Sequence, residues 1–203
     1  MKDERGIPAA AHLSDALGQL GLKFQTMHSR IRPVFTPIRL TGPAYTVQCY
    51  PGATWAVEEA IENARPGDVL VVNGQNFDGA VLMGELMSGR AARRGLAGAV
   101  IDGAVRDTVA LRKARWPMFA SHITPRAGTF DKLGQQQVVI TCGEVVVHPG
   151  DFIVGDDDGV VVIPAKRRHE VIDRARAIEK KERFIAAALR KGLSLSQAAA
   201  HWK

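Results

Sequence analysis

The sequence predicts an α/β fold whose central sheet is built from parallel strand–helix–strand units. Two apolar runs, Val69–Val72 and Gly98–Asp102, are typical of strands that are buried on both faces. Each run is followed by a segment of helical length and pattern, Asp78–Arg94 after the first and Asp107–Ala114 after the second. A third short strand is expected at Pro117–Ala120. This alternation indicates parallel pairing with right-handed crossover connections.

The chain before these units is expected to hold a helix, a strand and a second helix. Residues Leu13–Leu20 have the pattern of a short amphipathic helix. Residues Tyr45–Tyr50 alternate between apolar and polar side chains as a strand does, and Trp55–Ala64 then follows as a helix. A turn leads into the first buried strand, which the dipeptide Asn73–Gly74 is expected to end.

The chain after these units changes character. Four short strands separated by turns predict a small β-meander, at Val138–Thr141, Val145–Val147, Phe152–Val154 and Val160–Ile163. A charged helix over about 166–190 and a short tail over 192–203 complete the chain. Because no repeat or linker interrupts the pattern, residues 1–203 are expected to form a single domain.

The composition favours a globular protein of the cytoplasm. Apolar residues make up 46% of the chain, and no apolar run approaches the roughly 20 residues of a membrane span. The segment Met1–Arg5 leads into no apolar stretch of a signal peptide. Cys49 and Cys142 do not form a C-x-x-C pair, so reduced thiols and a cytoplasmic location are expected.

The net charge of +6 is concentrated at one end of the chain. The C-terminal segment 166–203 carries 11 Lys and Arg but 4 Asp and Glu, so the remainder is close to neutral. The acids are interleaved with the bases, which is typical of a solvated helix face or a subunit contact. No stacking aromatic run accompanies the charge, which makes nucleic acid an unlikely partner.

Several catalytic signatures are absent from the sequence. It contains no G-x-G-x-x-G, no Walker A motif, no G-x-S-x-G and no H-E-x-x-H. The six His residues are scattered, and no two of them stand at metal-ligand spacing on one predicted helix. Nucleotide-dependent enzymes, serine hydrolases and zinc peptidases are therefore disfavoured.

The most informative stretch begins with the second buried strand and ends at Arg106 and Asp107. Ligands of α/β proteins bind outside the carboxyl ends of the strands. An Arg can hold a carboxylate through two donors, and an Asp can hold a hard cation through oxygen. The alternative, equally open from these residues, is that Asp107 caps a helix while Arg106 forms a surface ion pair.

A second group of candidates follows the first buried strand. If the two strands pair, Gly84, Glu85, Leu86 and Met87 lie near the same crevice as Arg106. A Gly beside backbone N–H groups suits the binding of a carboxylate. The alternative is that the Glu is a solvated helix position and that the two apolar side chains pack in the core.

Segments along most of the chain, from about residue 12 to residue 185, resemble the RraA-like family in matching order. They are Pro66–Val72, Gly84–Leu86, Arg94–Gly98, Ile101–Asp107, Thr124–Pro125, Pro149–Asp151 and Gly155–Pro164. The family includes 4-hydroxy-4-methyl-2-oxoglutarate/4-carboxy-4-hydroxy-2-oxoadipate aldolases, which also decarboxylate oxaloacetate, and regulators of ribonuclease activity. The resemblance implies a compact layered fold similar to the swivelling phosphohistidine domain, assembled as a trimer or a dimer of trimers.

Within the family, the aldolases have an acidic residue, twenty further residues and then Arg-Asp. This chain matches that spacing with Glu85 followed by Arg106 and Asp107. The resemblance implies that Asp107 binds Mg²⁺ or Mn²⁺, and that Arg106 and the amides of Leu86 and Met87 hold a pyruvate moiety. It further implies that Glu85 and a neighbouring protomer's Glu, best matched by Glu182, position a water.

These roles predict a carbon–carbon lyase that releases pyruvate from 4-hydroxy-2-keto di- or tricarboxylates and from oxaloacetate. No Lys is singled out for a Schiff base, which favours a metal-dependent route. The alternatives are another metal-dependent 2-keto acid lyase and a non-catalytic regulator that binds a ribonuclease or another protein. The segment Asn73–Phe77 departs from the acidic or Gly-rich residues usual there, which leaves the exact substrate open.

Two further groups have competing interpretations. The triplet Asp156–Asp158 resembles a metal site, but Asp followed by Gly is also usual in a hairpin turn. Arg126 follows a predicted strand and could reach a distal carboxylate of a substrate, although a plain loop position is the more ordinary interpretation.

Overall fold

The computed structural model describes residues 6–200 and residue 202. The segment Met1–Arg5, on which the expectation about a signal peptide depends, lies outside the described residues. The α-helices found in the described part are α1 (Ala10–Gln19), α2 (Trp55–Asn63), α3 (Glu85–Arg93), α4 (Thr108–Ala114), α5 (Arg168–Arg190) and α6 (Leu195–Ala200). No helix in this part of the chain is long and apolar enough to cross a membrane.

The strands form one large sheet and one small hairpin. They are β1 (Arg32–Pro33), β2 (Leu40–Gln48), β3 (Val69–Met83), β4 (Gly98–Val105), β5 (Met118–Ile123), β6 (Gln135–Gln136), β7 (Ile140–Cys142), β8 (Val145–Val147), β9 (Phe152–Asp156) and β10 (Gly159–Ile163). The large sheet has the order β1-β5-β4-β3-β2-β9-β10, and β6 also pairs with β2.

The predicted α/β class is confirmed. Strands β2, β3, β4 and β5 are parallel neighbours, joined by crossovers that contain α2, α3 and α4. The four strands β7 to β10 do not form the small meander that the sequence predicts. The hairpin β9–β10 continues the large sheet by pairing antiparallel with β2, whereas β7 and β8 form a separate two-stranded sheet.

The prediction for the segment after Val72 was wrong in its boundaries. Residues Asn73 and Gly74 do not end β3, and the helix expected from Asp78 begins only at Glu85. Residues 73–83 stay paired with β4 through shifts of register, and the backbone of Gln75 and Asn76 is left-handed, with φ of 58° and 53°. Pairing with a distant strand decided this segment, and no local pattern records that pairing.

The apolar side chains form two cores. The larger core lies around the parallel strands and the helices that connect them, and its fully buried side chains include Leu70, Ile101 and Phe119. The smaller core joins α1 and α5 to the β9–β10 hairpin. The central strands are therefore held firmly, and their carboxyl ends present the residues of the candidate site at one edge.

Candidate active site

The candidate site forms where β3 and β4 end side by side. Met83 pairs with Val105 at the ends of the two strands, and the amide of Arg106 donates to the Met83 carbonyl at 3.2 Å. Gly84 then leads into α3, while Asp107 leads into α4. The sequence prediction that both strand ends face one crevice is therefore consistent with the observed pairing.

Asp107 is held by the neighbouring helix and does not cap its own. Its backbone is left-handed, with φ of 61° and ψ of 37°, and its side chain makes no capping hydrogen bond to α4. Instead its Oδ2 accepts from the Glu85 amide at 3.0 Å and lies 3.5 Å from Arg106 Nε. The interpretation that the Asp107 side chain caps α4 is therefore wrong, because the carboxylate instead accepts from the N-terminus of α3.

Gly84 occupies a position where a side chain would crowd the Arg-Asp pair. A Cβ at this residue would lie 2.6 Å from Asp107 Oδ2 and 3.1 Å from Arg106 Cγ. The absence of a side chain therefore lets the Arg-Asp pair lie directly against the start of α3. Its predicted part in substrate binding remains a prediction.

A crevice of about 630 Å³ opens in front of the Arg-Asp pair. Helices α2 and α3 and the loop 127–130 line it together with the end of β3. The crevice brings together six of the seven sequence-predicted site residues: Gly84, Glu85, Leu86, Met87, Arg106 and Asp107. A smaller cavity of about 320 Å³ lies on the Ile123–Pro125 side of the same pair.

The start of α3 offers backbone donors to this crevice. The amides in the first turn of a helix have no partner within the helix. Asp107 takes the amide of Glu85, so the amides of Leu86 and Met87 remain as donors of that turn. The Leu86 side chain is 84% exposed, which rules out core packing, whereas Met87 is half-buried against the larger core.

The seventh predicted residue, Glu182, does not line the crevice of its own chain. It lies on α5, where its Oε2 is 2.8 Å from Nε2 of His12. The sequence analysis assigned it to a neighbouring protomer's crevice, and that assignment stays a prediction.

The sequence analysis missed the wall of the crevice that α2 forms. Glu58 and Glu62 of α2 line that wall, and Arg90 of α3 forms two hydrogen bonds of 2.7 Å with the Glu62 carboxylate. The available signal was the i, i+4 spacing, which puts the two Glu on one face of α2. It also puts Arg90 on the same face of α3 as Leu86.

The two other candidate groups, Asp156–Asp158 and Arg126, have contacts that support the fold. In the β9–β10 turn, Asp156 Oδ2 accepts from the Ala10 amide at 2.7 Å and Asp157 Oδ1 accepts from the Ile38 amide at 2.8 Å. These carboxylates hold loops together, as a structural turn requires. Arg126 is not among the residues lining the crevice, and its carbonyl accepts from the Val81 amide at 3.0 Å.

The donor set suits a hydrated hard cation better than a cation enclosed by protein ligands. Across residues 6–200 and 202, no group of three or more His, Cys, Asp or Glu side chains could hold a metal. At the crevice, Oδ1 of Asp107 makes no hydrogen bond to any described residue, and the side chain is 38% exposed. Mg²⁺ commonly keeps several waters and takes one or two carboxylates, so Asp107 fits such an ion.

The sequence of the chain matches a known family and a named relative. The RraA-like family profile, described as Aldolase/RraA, matches residues 10–162. A relative named "Putative 4-hydroxy-4-methyl-2-oxoglutarate aldolase" from Halalkalibacterium halodurans is 38% identical over 172 residues. These residues are 85% of this chain and 80% of that protein.

Solved structures share the fold. A crystal structure of an uncharacterized protein from Pseudomonas syringae is 31% identical, with a TM-score of 0.88 over 96% of this chain and 90% of that one. The RNA-processing inhibitor RraA from Thermus thermophilis is 28% identical, with a TM-score of 0.67 over 74% of this chain and 92% of that one. With the profile match and the 38% identity, these likenesses confirm the resemblance seen in the sequence: the chain belongs to the RraA-like family.

Proposed function

We propose that this protein is a divalent-metal-dependent aldolase that releases pyruvate from 4-hydroxy-2-keto acids carrying two or three carboxylates, and that it also decarboxylates oxaloacetate. The observation that carries the proposal is the contact of the Arg106–Asp107 pair with the first turn of α3, where Asp107 Oδ2 accepts from the Glu85 amide. That contact puts a guanidinium, a carboxylate and free helix amides at one crevice. The aldolase name of the 38% identical relative supports the same reaction class.

Arg106 and the start of α3 are suited to bind the keto-acid end of the substrate. The Arg106 side chain is 41% exposed, and its Nη atoms make no hydrogen bond to the described residues. A guanidinium binds a carboxylate through two parallel N–H donors. The amides of Leu86 and Met87 add donors at the positive end of the helix dipole.

Asp107 would hold Mg²⁺ or Mn²⁺ through its free oxygen. A bound divalent ion supplies Lewis-acid polarisation of the keto oxygen and stabilises negative charge that develops there. In the aldol cleavage, the C3–C4 bond breaks, its electron pair stays on pyruvate as an enolate, and the C4 hydroxyl loses its proton. Arg106 places a fixed positive charge beside the developing enolate. Loss of carbon dioxide from oxaloacetate gives the same enolate, so one site can serve both reactions.

Glu85 is the acid of this chain that we propose positions a water for the proton transfer. Its side chain is exposed at the first residue of α3 and lines the crevice. We propose that Glu182 of a neighbouring protomer completes this water site. This requires an oligomer, a trimer or a dimer of trimers, and light scattering of the active protein tests it. A monomer that is active at the assay concentration contradicts the shared site.

The experiment that tests the function measures pyruvate release from oxaloacetate and from 4-carboxy-4-hydroxy-2-oxoadipate. We expect activity with Mg²⁺ or Mn²⁺, loss of activity with EDTA, and recovery when the metal is returned. Full activity of the thoroughly demetallated protein contradicts the metal-dependent route.

A second candidate function is regulation by protein binding. The likeness to the RNA-processing inhibitor RraA favours it. Such a regulator needs no turnover at the crevice. If the metal-loaded protein releases no pyruvate above background from either substrate, binding to a ribonuclease becomes the better proposal.

A further inference from the structure

The crevice contains a second guanidinium besides that of Arg106. Arg90 of α3 lines the wall nearest α2, where its Nε and Nη2 each donate to Glu62 at 2.7 Å. Arg94 Nη1 also lies 3.8 Å from the same carboxylate, so Glu62 keeps a cationic neighbour when Arg90 turns away. The Arg90 side chain is therefore a positive charge at the edge of the site, held there by an ion pair that is about half exposed.

Arg90 is one of few positive charges in a crevice that is lined mostly by acidic side chains. Of the described residues that line it, only Arg90 and Arg106 are cationic, whereas five are acidic: Glu58, Glu59, Glu62, Glu85 and Asp107. A substrate with two carboxylates needs a positive group at each end, because an unpaired carboxylate beside these acids would be repelled. Arg106 can serve one end together with the proposed metal ion at Asp107, and Arg90 is the remaining cationic side chain of the lining.

The position of Arg90 suits the far end of such a substrate. It follows Glu85 by five residues on α3, which puts its Cα about 7.5 Å further along the helix axis. The Glu85 amide contacts Asp107, so the Arg90 backbone lies about 7.5 Å along the α3 axis from the residue that meets the Arg-Asp pair. Leu86, one turn earlier, lies on the same helix face as Arg90.

The Arg90–Glu62 pair can exchange partners at little cost. Its side chains are 50% and 47% exposed, and exposed ion pairs contribute little to stability. The Arg90 guanidinium lowers the pKa of the Glu62 carboxyl through their hydrogen bonds. Glu62 therefore stays ionised at neutral pH and competes with a ligand carboxylate for Arg90.

We propose that Arg90 binds the distal carboxylate of a 2-keto dicarboxylate whose keto-acid end lies at Arg106, and that Glu62 holds Arg90 when the crevice is empty. The proposal rests on the proposed function, because that function places the keto-acid end at Arg106. It assigns the distal carboxylate to α3, not to Arg126, which does not line the crevice. Arg90 is thus a specificity-determining residue that selects dicarboxylates over monocarboxylates.

The experiment compares two ligands that differ only at the distal end. Calorimetry with Mg²⁺ present would measure the binding of 2-oxoglutarate and of 2-oxopentanoate, which have equal chain length and lack the C4 hydroxyl that aldol cleavage requires. Arg90→Gln should weaken 2-oxoglutarate binding about tenfold or more, since a charge-assisted contact is lost. The same variant should bind 2-oxopentanoate as the wild type does.

Two further variants complete the test. Glu62→Gln frees Arg90 and should strengthen 2-oxoglutarate binding with little effect on 2-oxopentanoate. Arg93→Gln removes an exposed charge from the same helix outside the crevice and should change neither ligand. If Arg90→Gln weakens both ligands equally, or weakens neither, Arg90 does not select the distal carboxylate.

The outcomes separate this inference from the proposed function. A wild-type protein that binds 2-oxoglutarate, with an Arg90→Gln variant that binds it equally well, overturns the inference and leaves the function standing. A wild-type protein that binds neither 2-keto acid but releases pyruvate overturns the inference alone. One that binds neither and also releases no pyruvate overturns the proposed function, and the role of Arg90 with it.

Discussion

Two aspartates five residues apart on one segment, Asp102 and Asp107, each face an arginine but have opposite surroundings. Asp102 is buried within β4, with a side chain that is 5% exposed. Its carboxylate accepts from Arg30 Nε and Nη2 at 3.2 and 3.1 Å and from the Gly143 amide at 2.8 Å. Both of its oxygens are therefore occupied by protein donors.

Asp107 forms an open pair by contrast. Only Oδ2 has partners among the described residues, the Glu85 amide at 3.0 Å and Arg106 Nε at 3.5 Å. The other oxygen and the terminal nitrogens of Arg106 make no hydrogen bond to the described residues, and both residues line the crevice. A closed pair such as Asp102–Arg30, in which protein donors occupy both carboxylate oxygens, stabilises the fold. An open pair such as Arg106–Asp107 keeps donors and acceptors for a ligand. The difference predicts that stability and activity depend on different aspartates.

The largest expected effect is on activity, from Asp107→Ala. The substitution removes the proposed cation ligand, so turnover of oxaloacetate should fall by about 10³-fold or more. Loss of the contact to the Glu85 amide should lower the free energy of unfolding by about 1 kcal/mol or less, as for other helix caps. Pyruvate release and denaturant unfolding measure the two quantities. A variant that retains activity removes Asp107 from the site.

A somewhat smaller effect is expected from Arg106→Lys. Lys keeps the charge but lacks the planar two-donor group that a carboxylate prefers. The rate of pyruvate release should fall by about 10²–10³-fold, as when one preorganised charge-assisted contact is lost. The comparison with wild type requires equal circular dichroism spectra. Equal rates for the two proteins would exclude Arg106 from the mechanism.

The complementary change, Asp102→Ala, should act on stability. It leaves the partly buried Arg30 without its main partner and the Gly143 amide without an acceptor. Breaking a buried ion pair in this way costs about 3 kcal/mol or more. The midpoint of urea unfolding measures the loss, and Asp107→Ala serves as the matched control. Equal midpoints for the two variants contradict the distinction between closed and open pairs.

The smallest expected effect is on the reactivity of Cys142, which lies beside this closed pair. Burial raises the pKa of the Cys142 thiol, and the nearby Asp102 charge adds to that effect. The native protein should therefore react slowly with a thiol reagent. The milder variant Asp102→Asn should accelerate the reaction several-fold, because it removes a charge that raises the thiol pKa and weakens the contacts that hold the β7–β8 hairpin, whereas Asp107→Asn should not. Equal rates for the two Asn variants would show that Asp102 does not protect the Cys142 thiol.

Local sequence patterns predicted much of the parallel sheet that carries both aspartates. The apolar runs at Val69–Val72 and Gly98–Asp102 were sufficient to predict two buried parallel strands, because strands covered on both faces need uninterrupted apolar side chains. The position of Arg106 and Asp107 after the second strand followed from the same pattern. The extension of β3 to Met83 could not be predicted, because it depends on hydrogen bonds to β4 across a bulged segment.

The roles of individual polar side chains depended on distant partners. Arg30 is 72 residues from Asp102 and Gly143 is 41 residues from it in the sequence. No periodicity connects such positions, so the sequence could not separate a buried structural carboxylate from an open one. The same applies to the α2 wall of the crevice, which meets α3 through Glu62 and Arg90.

The sequence by itself determined the parallel α/β class, the strand that carries the Arg-Asp pair, and the family to which the chain belongs. Periodicity and short motifs are sufficient for these because they are properties of neighbouring residues. Only the tertiary structure decided that Asp102 is closed, that Asp107 caps α3, and that Arg90 lies in the crevice. Each of these depends on long-range packing, which sets the dielectric surroundings and the hydrogen-bond partners of a polar group independently of its residue type.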